Sequence, residues 1–426
     1  MNALKVVIIN KSDSTGGAAV VSFRLMNALR TAGVDARMLV AEKLTDSPFV
    51  EAAGKPWQLK CSFLAERLKI FLANGLNRKT LFKIDTGSDG VPLHKHPAVM
   101  EADVICLNWV NQGLLSLKEA ERITALGKPV VWTMHDMWNM TGICHHAALC
   151  DRFSDECGCC PLLGHNGDEN DLSRRVQLKK EHLYAISRGG TPAIHFVAVS
   201  NWLAERSRHS TLLRDKSVSV IPNAFPFAKG NVIRRVAEDG KFRILFGAAR
   251  LDDPIKGLPV LLKALKVLCK RTPELGERSE LITFGAMKDR EAFAGVSIPH
   301  RHLGVLHGEE AIRKAYSECD CVVSASSYET LPGTLVEGQA YGCVPVSFDR
   351  GGQRDIVDHK ETGYIAEWNE DEDVAASRIA DGLIWAANAA GEELRQRMET
   401  SARSRFSEGA VGAAYLDLFR ELLQET

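Results

Sequence analysis

The sequence predicts an α/β fold with two Rossmann-like parallel-sheet domains. Apolar strand-like runs alternate with helix-like segments, and this alternation occurs in two successive sets along the chain. The 426 residues suit two or three domains of ordinary size. Ligands of such sheets bind beyond the carboxyl ends of the strands, so we expect the two domains to face a binding cleft.

The first domain is predicted over residues 1–225. Leu4–Asn10 is a continuous apolar run, typical of a strand that is buried on both faces. A glycine-bearing turn and an amphipathic helix follow it, the helix ends near Gly33, and Asp35–Ala41 is the next strand. The pattern continues in three more apolar runs: Asp103–Val110, Pro129–Asp136 and Ala193–Ser200.

The second domain is predicted over residues 226–404, after a linker around Ile221–Val232 that carries Pro222, Pro226 and Gly230. Its strands are predicted at Phe242–Leu251, Glu280–Ala286 and Cys319–Ser326. Its helices are predicted at Leu258–Cys269, Glu309–Ser317 and Leu335–Tyr341. Residues 405–426 form a last amphipathic helix, whose apolar side carries Leu416, Leu418, Phe419 and Leu422.

The composition narrows the functional classes. The formal net charge of −1 gives no basic field for nucleic acid, and no apolar run is long enough to span a bilayer. The N-terminal segment lacks the pattern of a secretory signal peptide, so we expect a cytoplasmic, reducing location. Clustered cysteines in such a compartment favour metal binding or reactivity over structural disulfides.

One segment, residues 55–83, departs from the alternation. It holds seven basic residues and one acid. Five apolar residues fall near one face of a predicted helix: Phe63, Leu64, Leu68, Phe71 and Leu72. Lys60, Arg67 and Lys69 lie elsewhere on that helix. A basic amphipathic helix can lie on an anionic membrane surface, which would put the protein at the inner face of the plasma membrane. The alternative is a solvated helix packed on the edge of the domain.

The strongest chemical signal lies in Ser326–Val346. Glu329 and Glu337 bracket seven residues, and between them "LPGT" is a turn that opens a helix. The N-terminus of that helix suits a phosphate or diphosphate. Because both carboxylates repel such an anion, they can instead accept hydrogen bonds from sugar hydroxyls. Alternatively they are ordinary acids at a helix N-terminus, with Glu337 expected in the first turn.

The second signal lies in Phe246–Gly257. A predicted strand ends in a small-residue turn that carries Arg250, and Lys256 precedes a predicted helix. Two cations at strand ends suit a diphosphate leaving group. The alternative is two solvated surface charges, which is the commoner fate of lysine and arginine.

These motifs resemble a known family. Glu329-x7-Glu337, followed by "GQAYGCVPVSFDRGGQRDIV", is similar to the donor-site signature of retaining GT-B glycosyltransferases of family 4, the glycosyl transferases group 1. "IPNAF" (Ile221–Phe225), "AVSNWLAERS" (Ala198–Ser207) and "STGGAAV" (Ser14–Val20) resemble further family segments in the family's order. Trp132–Pro161 is similar to a subgroup that includes a colanic-acid glycosyltransferase and assembles bacterial surface polysaccharides such as capsule, exopolysaccharide and O-antigen.

The resemblance implies a GT-B fold whose last helix crosses back to the first domain, and a role for each matching residue. Glu329 would bind the hydroxyls of the donor sugar, Glu337 the ribose of the nucleotide, and Arg250 and Lys256 the leaving phosphate. The backbone amides of Gly333, Thr334 and Leu335 would bind the diphosphate, and His135 would line the sugar site. Gly16 and Gly17 would allow close approach of donor or acceptor, and Asn223 belongs to the donor-side junction motif.

The implied activity is a retaining hexosyl transfer from a UDP- or GDP-linked sugar to a glycan or polyprenyl-linked acceptor. Positive charge from Arg250, Lys256 and a helix N-terminus can stabilise the leaving diphosphate, and no Asp-x-Asp triplet stands at a strand end of the second domain. We therefore expect catalysis without a metal cofactor. The chain departs from the family in "EGQA" (Glu337–Ala340), where "EAMA" is usual, and in Asn108, where related chains often have histidine.

Four cysteines, Cys144, Cys150, Cys157 and Cys160, define a candidate structural zinc site. The last two have the C-x2-C spacing of a zinc knuckle, and four thiolates can complete a tetrahedral site. His145 and His146 are alternative ligands of such a site. Disulfides and buried free thiols are the alternatives to a metal. Two other functions also stay open: a nucleotide-sugar epimerase of the same fold, and a non-catalytic, zinc-stabilised binding module.

Overall fold

The computed structural model describes residues 3–163, 167–188, 191–227 and 239–424. Gly230 and the rest of the predicted linker beyond Phe227 lie outside these described residues. The chain divides into two compact units, one formed by Met1–Ala224 with Glu408–Thr426 and the other by Phe225–Ser407. The break falls after Ala224 rather than after residue 225, and the last helix begins at Glu408 rather than at residue 405.

The described part of the first unit contains the strands β1 (Lys5–Ser12), β2 (Asp35–Glu42), β3 (Val50–Ala52), β4 (Val104–Leu107), β5 (Val130–Met134), β6 (Ser187–Arg188), β7 (Thr191–Pro192), β8 (Ile194–Ala198) and β9 (Val218–Val220). Seven of them form a parallel sheet in the order β3-β2-β1-β4-β5-β8-β9. In mid-sheet, Ile8 is in register with Met38 on one side and Cys106 on the other. Every side chain of β4 and β5 is buried, as the continuous apolar runs predict.

The described helices of this unit are α1 (Gly17–Thr31), α2 (Pro56–Ala73), α3 (Pro97–Glu101), α4 (Leu117–Thr124), α5 (Leu172–Tyr184), α6 (Asn201–His209) and, at the end of the chain, α13 (Glu408–Gln424). The central strands are shorter than the apolar runs suggest, because β4 ends at Leu107 and β5 at Met134. Asn108–Val110 and His135–Asp136 therefore lie just beyond the carboxyl ends of two neighbouring strands.

The last helix, α13, packs on α1 in the first unit. A β-carbon at Gly412 would lie 2.9 Å from the carbonyl oxygen of Ala28, so glycine permits the close approach. Tyr415 is buried, and its hydroxyl lies 2.9 Å from Oγ1 of Thr133 on β5. The other buried residues of α13 include Leu418 and Phe419, two members of the predicted apolar side.

The described part of the second unit holds β10 (Phe242–Arg250), β11 (Ser279–Ala286), β12 (His300–His302), β13 (Cys321–Ser324), β14 (Val344–Phe348) and β15 (Tyr364–Ala366), with the helices α7 (Leu258–Arg271), α8 (Pro273–Arg278), α9 (Glu309–Ser317), α10 (Gly333–Ala340), α11 (Glu372–Ala389) and α12 (Glu392–Phe406). The strands form a parallel sheet in the order β12-β11-β10-β13-β14-β15. Two parallel sheets flanked by helices confirm the predicted α/β fold class.

The helix predicted in the basic segment is α2, which ends at Ala73 and has Asn74 as its C-cap. Its faces differ from the expectation in one respect, because Arg67 is buried rather than solvated. Leu64, Leu68 and Leu72 are exposed, whereas Phe63 and Phe71 are half-buried against the unit. Of the described helices, none combines the length and the apolar character that crossing a membrane requires.

Candidate functional site

A pair of opposite charges lies beyond the carboxyl ends of β10 and β13 in the second unit. Lys256, in the turn that precedes α7, has its Nζ atom 2.6 Å from Oε1 of Glu329. The hydroxyl of Ser326 donates to the same carboxylate oxygen at 3.0 Å. Lys256 and Glu329 keep about a quarter and a fifth of their side chains exposed, 26% and 20%, so a ligand can reach both groups.

Glycines allow the loops of this pair to pack closely. A β-carbon at Gly257, which has a φ of 70°, would lie 2.0 Å from the carbonyl oxygen of Ala325. A β-carbon at Gly351, with a φ of 153°, would lie 1.8 Å from the carbonyl oxygen of Glu329. The amide of Gly352 donates to that oxygen at 3.0 Å. The backbone of Glu329 is therefore fixed by the loop that follows β14, and only glycine fits at the contact.

The N-terminus of α10 follows four residues after Glu329. Gly333, Thr334 and Leu335 are the first three residues of α10, and no side chain caps the helix at Pro332. The amide of Leu335 donates to the carbonyl oxygen of Pro332 at 3.1 Å, so this amide is already engaged within the turn. The first turn contains no acid. Glu337 is the fifth residue of α10 and half-buried, not in the first turn as the sequence suggested.

Arg250 is the last residue of β10, at the same edge of the sheet as the Lys256–Glu329 pair. Its side chain is 54% exposed, and its Nε atom lies 3.4 Å from Asp252. The long, exposed guanidinium can swing toward an anion at this edge, because a weak surface ion pair holds it only loosely.

In the first unit, His135 follows directly after β5. The residue is half-buried, and its Nε2 atom is inaccessible to solvent. Burial lowers the pKa of His135 to about 4, against an opposing effect of the neighbouring Asp136. The imidazole is therefore neutral near pH 7 and can exchange hydrogen bonds with a hydroxyl, but it cannot act there as a cation.

Gly16 and Gly17 lie at the start of α1. Gly16 has a φ of 91°, which favours glycine, and a β-carbon at either residue would meet no atom within 4 Å. The helix has no side-chain cap and no acid in its first turn. This N-terminus is open to an approaching ligand. Asn223 is half-buried in the segment after β9.

A buried polar network, which the sequence did not reveal, lies beside His135. His145 contacts carboxylates through both ring nitrogens, Nδ1 with Asp136 and Nε2 with Asp85, each at 2.7 Å. Asp136 also accepts the indole N–H of Trp109 at 2.8 Å, and Arg67 of α2 donates to Asp85. Burial alone would raise the pKa of Asp136, but His145 outweighs this effect and lowers it. The sequence held only a weak indication of this network, which is that Asp136 and His145 are nine residues apart.

The four candidate zinc ligands, Cys144, Cys150, Cys157 and Cys160, line one small apolar cavity. Burial raises the pKa of the Cys144 thiol to about 12 and that of Cys160 to about 11. Within the ranges that the structure describes, no cysteines form a disulfide, and no group of three or more His, Cys, Asp or Glu side chains is arranged to hold a metal. Structural zinc therefore stays a prediction, which metal analysis of the purified protein can decide.

Comparisons with known proteins find a family similarity in the second unit. The sequence profile of the family described as "Glycosyl transferases group 1" matches residues 229–405. The matched range is less than half of the chain, and over that range the chain is similar to this family. The first unit, which carries His135, Gly16, Gly17 and the four cysteines, lies outside the matched range.

A curated relative of the chain is the putative colanic acid biosynthesis glycosyl transferase WcaC of Escherichia coli K12, 22% identical over 278 residues. The similarity spans 64% of this chain and 64% of that relative's length.

Solved structures resemble nearly the whole chain. A glycosyltransferase from Rickettsia africae aligns over 100% of both chains, with a TM-score of 0.63 and 14% identity. Anabaena HepE, crystallised with UDP-glucose, aligns over 98% of this chain and 100% of its own, with a TM-score of 0.58 and 14% identity. The catalytic domain of Arabidopsis thaliana starch synthase IV, bound to ADP and acarbose, aligns over 99% of this chain and 100% of its own, with a TM-score of 0.58 and 15% identity. At such low identity these likenesses show the fold alone.

The range that is similar to this family contains Glu329, Lys256, Arg250 and the N-terminus of α10. Its glycines at positions 257 and 351 hold the loops that carry the charge pair.

Proposed function

We propose that the protein is a glycosyltransferase that moves a hexose, with retention, from a nucleotide-diphosphate sugar to a glycan or lipid-linked oligosaccharide. The observation that carries the proposal is the contact of Lys256 with Glu329 beside the N-terminus of α10. A cation and a helix N-terminus suit a diphosphate, while a carboxylate suits the hydroxyls of a sugar. These are the two ends of a nucleotide sugar.

The chemical step needs positive charge where the diphosphate leaves. In the proposal Lys256, Arg250 and the first amides of α10 supply this charge, so catalysis needs no metal ion. Glu329 holds the sugar and Glu337 the ribose. His135 is neutral because burial lowers its pKa, which suits hydrogen bonding to a sugar hydroxyl. Retention is inferred from the resemblance of the Glu329-x7-Glu337 segment to retaining family members.

The donor is proposed to be UDP- or GDP-linked. Anabaena HepE has been crystallised with UDP-glucose, which supports a nucleoside-diphosphate sugar as the donor class here. The acceptor is proposed to belong to bacterial surface polysaccharide synthesis, such as that of capsule, exopolysaccharide or O-antigen. WcaC is a putative glycosyl transferase of colanic acid biosynthesis, and the structure of the lipopolysaccharide outer core galactosyltransferase WaaB is also similar to this chain; both support this process.

An anionic membrane surface is the proposed location of the acceptor. On α2 the exposed Trp57, Leu64, Leu68 and Leu72 form a stripe, since they follow one another at helical spacing. The exposed cations of residues 55–83 are Lys55, Lys60, Lys69, Arg78, Lys79 and Lys83. Glu66, the one acid of the segment, is buried and accepts hydrogen bonds from Thr86 and Gly87. An apolar stripe among exposed cations suits anionic lipid.

Nucleotide binding and transfer test the proposal separately. We expect UDP or GDP, and the corresponding hexose conjugates, to raise the melting temperature of the full chain by mass action.

Lys256→Ala should lower kcat/KM of hexose transfer by about 100-fold or more while the protein stays folded. Lys263→Ala is a matched control, because Lys263 is an exposed lysine of α7 that pairs with Glu372. Equal turnover of Lys256→Ala and wild type would refute the assignment.

A further inference from the structure

Trp109 stands out in a segment of the first unit that is otherwise buried. It follows β4 at the carboxyl edge of the sheet and is only half-buried, whereas its neighbours Asn108, Val110 and Asn111 are 3%, 1% and 6% exposed. Trp109 is therefore the residue of the 108–111 segment that solvent or a ligand can reach.

The orientation of this indole is fixed from two sides. Its Nε1–H donates to Oδ2 of Asp136 at 2.8 Å, and its ring packs on that of His145 with centroids 5.5 Å apart and planes inclined by 32°. His145 is itself held at both nitrogens by Asp136 and Asp85. Asp85 accepts from Arg67 of α2 and from the amide of Gln112. An aromatic ring held this firmly loses little side-chain entropy when a ligand packs on it.

The segment that carries the ring also holds polar atoms without a hydrogen-bond partner. Among the described residues, Oδ1 of Asn108 and Nδ2 of Asn111 are buried without a hydrogen-bond partner. Asn108 cannot turn freely to find one, because its amide nitrogen donates to the Ser22 hydroxyl at 2.6 Å. Buried polar atoms without partners are rare in folded proteins, and hydroxyl groups of a ligand are one way to satisfy them.

We propose that Trp109 is the stacking platform for a pyranose ring of the glycan acceptor, with Asp136 and His145 as positioning residues. A pyranose has an apolar C–H face that packs on an indole, and a rim of hydroxyls that can bond to the Asn108 oxygen and the Asn111 amide. The assignment to the acceptor rests on the proposed function, in which Glu329 and Lys256 of the second unit hold the donor. The recognition of a pyranose by Trp109 does not depend on that assignment.

Saturation-transfer NMR on the full chain tests the platform with named probes, the methyl glycosides of glucose, galactose and mannose. We expect saturation of the ring C–H protons of at least one probe in the wild type. Trp109→Ala should reduce it roughly tenfold, the effect of losing one aromatic stack. Trp109→Phe, which keeps a smaller ring, should give an intermediate signal and carries the test if Trp109→Ala does not fold. Trp385→Ala is the matched control, because Trp385 is a half-buried tryptophan of α11 in the second unit.

Equal signals in the wild type, Trp109→Ala and Trp109→Phe would overturn the platform, and so would no signal from any probe in the wild type. Signals that survive in Trp109→Ala and disappear when UDP-glucose is added would identify a donor subsite elsewhere, which also overturns it. Melting temperatures with UDP and GDP are recorded on the same samples. If no nucleotide binds, the proposed function fails while the saccharide data still decide the role of Trp109.

The positioning role has its own readout, the pattern of probe protons that become saturated. Asp136→Asn retains an oxygen that can accept the indole N–H, so we expect the wild-type pattern. Asp136→Ala frees the indole, and we expect a changed pattern. An unchanged pattern in Asp136→Ala would show that the ring needs no orientation by Asp136.

Discussion

The ammonium nitrogen of Lys256 lies 2.6 Å from Oε1 of Glu329, a contact between residues 73 positions apart in the chain. In the proposed reaction Lys256 binds the phosphate of the donor, so Glu329 competes with the donor for the same cation. The pair is only partly buried, which keeps the cost of separating it low.

Glu329→Gln should therefore separate nucleotide binding from transfer. The substitution removes the competing charge but keeps the size of the side chain. We expect the affinity for UDP or GDP, measured by calorimetry, to stay equal or rise up to about tenfold. Hexose transfer should fall by roughly 100-fold, because the sugar loses a charged hydrogen-bond acceptor. Glu372→Gln, which removes the partner of Lys263 on the surface, is the control. A clear loss of nucleotide affinity in Glu329→Gln would contradict the competition.

Gly351 is expected to be intolerant of substitution. A β-carbon there would lie 1.8 Å from the carbonyl oxygen of Glu329, at a φ of 153°. Gly351→Ala should lower the free energy of unfolding by about 2 kcal/mol or more, because the loop must move or remain strained. Urea denaturation measures this change. Gly409→Ala in α13 meets no atom within 4 Å and should be neutral or slightly stabilising. Equal stability of the two variants would show that the loop after β14 yields easily.

Much of the fold could be predicted from local pattern, whereas the buried charges could not. Strands β1, β4 and β5 are continuous apolar runs, and parallel strands buried on both faces leave just this trace. Arg67 was expected at the surface, but it meets Asp85, which is 18 residues away. The partners of His145 are likewise remote, since Asp85 precedes it by 60 residues. Helical periodicity carries no information about such tertiary pairs, so the network became visible only in three dimensions.

The position of Glu337 shows a second limit of the sequence. The "LPGT" turn correctly predicts a helix start, and Gly333, Thr334 and Leu335 form its first turn. Counting from a start at Leu335 placed Glu337 in that turn, whereas α10 begins at Gly333 and Glu337 is its fifth residue. Helix ends depend on one or two terminal residues, which periodicity does not resolve.

His135 should make stability depend on pH below neutrality. Its pKa is about 4 in the folded protein because burial disfavours the charged ring, and about 6.5 in an unfolded chain. Between these values the unfolded chain binds more protons, so stability is lost as the pH falls from about 6.5 toward 4. The loss by pH 4.5 amounts to at most about 2.5 kcal/mol, which is the linkage value for a shift from 6.5 to 4.

The measurement is urea denaturation of the wild type and His135→Gln at a series of pH values. The variant lacks the titrating ring, so the stability difference between the two proteins should change across the pH 6.5 to 4 interval. A difference that stays constant over that interval would mean that the ring does not titrate with a lowered pKa.

The exposed stripe of α2 predicts binding to anionic vesicles. Leu64 and Leu68 are 53% and 57% exposed, and the cations Lys60 and Lys69 lie on the same helix. Burial of these side chains in the lipid interface and attraction of the cations to anionic headgroups should act together. We therefore expect co-sedimentation with vesicles of phosphatidylglycerol and phosphatidylcholine, weaker binding to phosphatidylcholine alone, and a decrease as salt is raised.

The double variant Leu64→Glu/Leu68→Glu should reduce the vesicle-bound fraction roughly tenfold or more, because it removes apolar contact and adds like charge to the lipid. Leu178→Glu is the matched control, since Leu178 is an exposed leucine on a different helix, α5, at 47% exposure. Charge reversal at Lys69 would be the least informative substitution among the cations, because the Lys69 ammonium already pairs with Asp89 at 2.7 Å. Binding of the double variant at the level of Leu178→Glu would assign the stripe to the solvated helix that the sequence also allowed.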